Sequence, residues 1–207
     1  MANNKDFKVK NGIKPAAYQE AVGTATSGSV AVGYDLSVAA YDSVEFSIVS
    51  QDTSPRGMTF NNDGTKMYIV GSGNDSVFQY SLSTGFDLST ASYDSVSFSV
   101  ASQDTTPIGL SFNNDGTKMY IIGNSSNTVY QYSLSTGFNL STASYDSVSF
   151  SVSSQESSSQ DLAFNNDGTK MYIVGSGSNT VYQYSLSTGF NLSTASYDSV
   201  SFSAASQ

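Results

Sequence analysis

Phe164-Asn165-Asn166-Asp167-Gly168-Thr169-Lys170-Met171-Tyr172-Ile173-Val174-Gly175 decides the fold, with Ser176-Gly177-Ser178-Asn179-Thr180-Val181-Tyr182-Gln183-Tyr184 running on from it. Asn, Asp and Gly tolerate positive φ, so the first turn closes a tight hairpin between Phe164 and the Met-Tyr-Ile-Val run. A Gly/Ser turn then leads into Thr-Val-Tyr-Gln-Tyr, which is rich in β-branched and aromatic residues.

The stretch is one copy of a repeat. Asn-Asn-Asp-Gly-Thr-Lys stands at 61–66, 113–118 and 165–170. Tyr-Asp-Ser-Val stands at 41–44, 93–96, 145–148 and 197–200, and both motifs recur every 52 residues. Residues 129–151 reappear unchanged as 181–203. Such a period outranks every other signal in a sequence. Each copy holds four strand-like stretches, in the first copy 57–60, 66–70, 76–82 and 96–100. The third and fourth alternate with period 2, as half-buried strands do. In the fourth, Val96, Phe98 and Val100 point one way and Ser95, Ser97 and Ser99 the other, which predicts an exposed outer edge. The first stretch carries little polar content and is expected to be the most buried.

A four-stranded antiparallel sheet recurring at about 50 residues is a propeller blade, and blades must stack to cover their two faces. The fold class is therefore all-β, with β-propeller-like repeats: three full blades plus a partial one. The expected organisation is a leader at 1–28, a partial blade at 29–50, and blades at 51–102, 103–154 and 155–207. The 164–184 motif resembles the YVTN-type propeller repeat, with its Asp-Gly turn, Lys, Tyr-Val-like strand and Gly-Ser-Asn-Thr-Val segment. The resemblance covers about residues 57–206 and implies fold, since such propellers host many roles. The copies here are longer than is usual for that family, mostly through 86–94 and its counterparts.

Three blades are too few for a ring of four to eight. Either further blades follow residue 207 or chains associate as a homo-oligomer.

Composition narrows the chemistry. The 207 residues include no Cys, His or Trp and one arginine, Arg56. That removes disulfides, thiolate and imidazole metal sites, and Ser-His-Asp machinery. Forty-two serines coat the chain, yet 13% aromatic residues supply core volume and charged residues are only 12%. The net charge of −9 divides unevenly: residues 1–20 carry +2 and residues 21–207 carry −11. The acidic body argues against nucleic acid. No apolar run reaches a membrane span, so no membrane insertion is expected. The start is polar and lacks a secretory signal, so the sequons at Asn74, Asn124, Asn139 and Asn191 are expected to be unused.

The leader reads Lys5-Asp6-Phe7-Lys8-Val9-Lys10-Asn11-Gly12-Ile13, with a turn at Asn11-Gly12 and a short helical turn expected over 15–21. It resembles the start of structural, often fibre-like proteins of marine tailed bacteriophages. That resemblance implies a virion protein assembled in the host cytoplasm and attached to other virion proteins through Phe7, Lys8, Val9, Lys10 and Ile13. An ordinary N-terminal tail is the alternative.

No cofactor, metal site or catalytic residue is implied. The Asn-Asn-Asp-Gly turns have one acid each and lack the ligand pattern of a calcium loop. Asp42, Asp94, Asp146 and Asp198 recur in every copy, which points to structure rather than a glycosidase pair. Tyr93, Tyr145 and Tyr197 suit sugar stacking but recur as packing residues do. The copies diverge most at the entry to the first strand: Pro55-Arg56-Gly57, Pro107-Ile108-Gly109 and Ser159-Gln160-Asp161. Divergence there makes Arg56, Gln160 and Asp161 candidate ligand or partner contacts, with drift at a permissive position the favoured reading. The functional expectation is a non-enzymatic virion structural protein, tail- or fibre-associated, with a surface glycan as a partner. The alternative is a bacterial propeller scaffold of non-viral origin.

Overall fold

The computed structural model describes residues 39–205. Blade 1 consists of β1 (Pro55–Phe60), β2 (Lys66–Gly71), β3 (Ser76–Leu82) and β4 (Ala91–Ser99). Blade 2 consists of β5 (Pro107–Phe112), β6 (Lys118–Gly123), β7 (Thr128–Leu134) and β8 (Ala143–Ser151). Blade 3 consists of β9 (Ser159–Phe164), β10 (Lys170–Gly175), β11 (Thr180–Leu186) and β12 (Ala195–Ser203). Each blade is an antiparallel meander in chain order. The chain is all-β with three four-stranded blades in a β-propeller-like arrangement, the first strand of each innermost. β5 packs against both β1 and β9.

The turns form as their residues dictate. Gly64 sits at φ +71° and donates its N–H to the Asn61 carbonyl at 3.2 Å. Asp63 accepts from the Thr65 hydroxyl and N–H at 2.6 and 3.0 Å, which holds its carboxyl below the usual range. This Asp closes a turn. Farther along, the 3-10 turns Leu88–Thr90, Leu140–Thr142 and Leu192–Thr194 are capped by Asp87, Asn139 and Asn191.

The core lies between blades. One cluster joins Tyr68, Val70 and Val100 of blade 1 to Leu110, Met119, Ile121 and Tyr132 of blade 2. A second joins Tyr120, Ile122 and Val152 to Leu162, Met171, Ile173 and Tyr184. Phe98 meets Tyr132 edge-on at 5.5 Å, and Phe150 meets Tyr184 in the same way. Side-by-side stacking thus buries faces that no single blade could cover.

Two expectations need correction. The first strand is not the most buried: β1 has three exposed residues and no buried one, whereas β2 is buried over five of its six residues. The cause is position, because β1 borders the central groove while β2 lies between two paired strands and under the neighbouring blade. The fourth strand starts at Ala91 rather than Val96, so Tyr93 and Asp94 belong to it and not to a loop. Of the expected partial blade at 29–50, residues 39–50 lie among the described residues, and they form no strand and join none of the three sheets. Phe46 and Ile48 nevertheless pack on blade 1, with Phe46 edge-on to Tyr80 at 5.6 Å. The leader residues Phe7, Lys8, Val9, Lys10 and Ile13 and the helical turn expected at 15–21 lie outside the described residues.

Candidate functional site

The inner strands of the three blades line a groove of about 430 Å³. Arg56, Gln160 and Asp161 all border it, with Thr59 and Ser111 adding hydroxyls. Strand pairing explains their placement. Positions 56 and 160 are equivalent and point alike: the Arg56 Nε donates to Ser72 Oγ and the Gln160 amide to Ser176 Oγ, each at 3.2 Å. Asp161 takes the place of Gly57 and Gly109, and its Oδ1 accepts the Leu162 N–H at 2.9 Å. That carboxylate lies so near β5 that a Cβ on Gly109 would stand 2.7 Å from it. Desolvation there pushes the Asp161 carboxyl above the usual range, against the pull of the Leu162 N–H, although the residue keeps an exposed side. The groove thus gathers one cation, one anion, one amide and two hydroxyls, a set suited to a polar, hydroxylated ligand.

The other recurring acids are engaged within the blades. Ser95, Ser147 and Ser199 adopt φ near +60° and form a bulge in the fourth strand. The bulge turns the preceding Asp across the sheet. Asp94 Oδ2 then accepts from Lys66 Nζ and from the Gln79 amide, each at 2.7 Å, while Oδ1 accepts from the Ser81 hydroxyl. Burial pushes the Asp94 and Asp146 carboxyls up, but their Lys, Gln and Ser donors outweigh it and hold both low. Asp198 faces no further blade among the described residues, and its Lys170, Ser185 and Gln183 donors hold it at about 2. The Gln oxygen continues the network across the junction: Gln79 Oε1 accepts the Leu140 N–H at 2.8 Å, and Gln131 Oε1 the Leu192 N–H at 2.9 Å.

Sequence reasoning passed over a second acidic set. Asp52, Asp104 and Glu156 are buried and equivalent. Each carboxylate gathers N–H donors from its own segment and from the turn after the second strand. Asp52 accepts from Ser54, Gly73 and Asn74, and Asp104 from Thr106 and Ser126. Glu156 accepts from Ser158, Gly177 and Ser178 and from the Ser178 hydroxyl. Burial raises the Glu156 carboxyl, and these donors pull it below its ordinary value. The glycine ending the second strand makes room: a Cβ on Gly123 would stand 2.0 Å from Asp104 Cγ. The 52-residue spacing was the available signal, masked by the change from Asp to Glu.

The remaining candidates are structural. Tyr93, Tyr145 and Tyr197 lie 5.4 Å from Tyr80, Tyr132 and Tyr184 within their own sheets. Crevices of about 400 and 380 Å³ flank Lys66 and Lys118 at the junctions. Their Lys and Gln side chains are already hydrogen-bonded within the junction networks. Among the described residues, no group of three or more acids is placed to hold a metal ion.

No protein-family model matches the chain, and no curated protein matches it. Similar solved structures include a functionally unknown protein from Desulfotomaculum acetoxidans, at TM-score 0.52 and 16% identity over 72% of this chain and 42% of that one. A Bacteroides uniformis protein provisionally assigned as a 6-phosphogluconolactonase gives TM-score 0.50 and 16% identity over 64% of this chain and 37% of that one. The β-propeller domain of Myceliophteria thermophila Cps50 (Swd1) gives 0.44 and 12% over 72% and 43%. At such identities the likeness is one of fold alone. The chain spans about two fifths of the length of these structures.

Proposed function

We propose that the chain is a non-enzymatic structural protein of a bacteriophage virion, tail- or fibre-associated, whose blades serve assembly and contact with a host-surface glycan. One observation carries the non-catalytic part. Each repeated Lys is committed to an Asp of its own blade, at 2.7–2.8 Å, and that Asp is held by two further donors. Groups bound in this way are positioned for packing, not for proton transfer or attack. Two of the charges outside the repeat pattern, Arg56 and Asp161, border the groove, whose mixed polar lining suits sugar hydroxyls. The viral part is supported by the basic leader 5–13 and by the Ser-rich repeated β modules.

Mass spectrometry and antibody labelling of purified particles test this reading. The chain is expected on the particle, and deletion of residues 1–20 is expected to abolish its incorporation. Incorporation unchanged by that deletion contradicts attachment through the leader. Turnover of a 6-phosphogluconolactone by the purified chain, lost on Asp161→Asn, would replace the structural reading with an enzymatic one.

A further inference from the structure

We infer that the uncovered face of blade 3 docks blade 1 of a second copy of this chain, head to tail, through a third version of the junction already built twice. The argument is continuity with the existing interfaces. Residues 181–203 of blade 3 repeat 129–151 of blade 2, a segment whose Val129, Val148 and Phe150 pack towards blade 3. Both sides of the missing junction keep exposed positions in one chain, although residues 39–50 already cover part of the blade 1 side. Val70 and Ile122 are fully buried by the following blade, whereas their equivalent Val174 is 38% exposed. Leu110 and Leu162 are 5% exposed under the preceding blade, whereas their equivalent Met58 is 58% exposed. Val174 and Met58 are therefore the two halves of one contact.

Polar groups repeat the pattern. Tyr68 donates to the Phe138 carbonyl and Tyr120 to that of Phe190. The next step of the series pairs Tyr172 with the carbonyl of Phe86, whose side chain is 61% exposed. Gln79 and Gln131 each take an N–H from the next blade. No described residue offers Gln183 that N–H, and Leu88 of a second copy would supply it. Asn62 and Asn114 donate to Asn114 and Asn166 at 2.7 and 2.6 Å, so Asn166 is left to reach Asn62. The repeat departs at Asp161, which stands where Gly57 and Gly109 stand and whose carboxylate rests against β5. Its side chain replaces a glycine, so the inner strands must stand farther apart at the missing junction.

One place is contested. Phe46 holds on Tyr80 the position that Phe98 and Phe150 hold on Tyr132 and Tyr184, so it occupies the seat of an incoming Phe202. β12 is paired along its length with β11, whereas 43–50 belongs to no sheet, so 43–50 yields. A heterologous contact closes when its rotation permits. With the three described blades of each chain, six is the one multiple of three within the range of about four to eight blades, which corresponds to two copies.

Sedimentation of the full chain and two variants tests this. The unmodified chain is expected to run as two chains. Val174→Glu and Met58→Glu alter exposed residues, should leave the far-ultraviolet circular dichroism unchanged, and should each weaken self-association at least tenfold. Mixed together, they retain one sound junction between them and should form a 1:1 species that neither forms alone. A monomeric unmodified chain would overturn the inference, whether residues 1–38, additional sequence or nothing covers blade 3. So would variants that still dimerise, or a mixture that stays monomeric. None of these outcomes bears on whether the chain is found on a virion.

Discussion

At the scale of single residues, the acids do most of the positioning. Asp146 ties Lys118, Gln131 and Ser133 together in the blade flanked on both sides. Asp146→Ala strands these donors and should cost about 2–3 kcal/mol, read from the denaturant midpoint. The pH dependence follows from the same groups. Carboxyls held low stabilise the fold above their ordinary value of 3.8 and lose that contribution as pH falls through their folded values, about 2 for Asp198. Thermal melting should therefore drop steeply between about pH 4 and pH 2. Asp75 has the opposite sign, raised first by burial and then by Asp104 and Asp52. Its equivalent Asn127 accepts the Ser159 N–H, but residue 107 is proline and offers none. Asp75→Asn should thus raise the melting temperature at neutral pH, and by less at pH 3. Recurrence of Tyr-Asp-Ser-Val was legible as structural, but its partner was not. Lys66 lies 28 residues from Asp94, and only the bulge brings them together.

At the scale of elements, turn chemistry and alternation made strands two and three legible, since both are bounded by Gly-containing turns. The fourth strand was legible only in its Val-Ser-Phe half. Its first half, Ala91-Ser92-Tyr93-Asp94, carries weaker β propensity and is held by pairing with β3 across the bulge. Ser147 adopts φ +58° there, in the left-handed region. Ser147→Val should cost about 1–2 kcal/mol because a β-branched residue resists that conformation, whereas Ser147→Gly should cost little. Equal losses for the two would contradict a conformational origin. The burial of strand one was misjudged because apolar content was read as depth. Depth here depends on which strand has a blade above it, and neighbouring blades are not written in a local pattern.

At the scale of the whole molecule, the 52-residue period made the fold class legible and the incomplete blade count visible. The candidate groove was legible in part, because Arg56, Gln160 and Asp161 stood out as divergence among near-identical copies. What could not be read was which positions meet across a junction, Val70 with Leu110 and Ile122 with Leu162, since that depends on how β2 of one blade meets β5 of the next. Residues 21–207 carry −11, so two copies repel at long range. Raising ionic strength from about 0.1 M to about 1 M shortens the screening length from about 10 Å to about 3 Å and should strengthen their association. Native mass spectrometry of the unmodified chain tests the account most directly. A species of two chains across dilution is predicted, and a single chain at every concentration would contradict it.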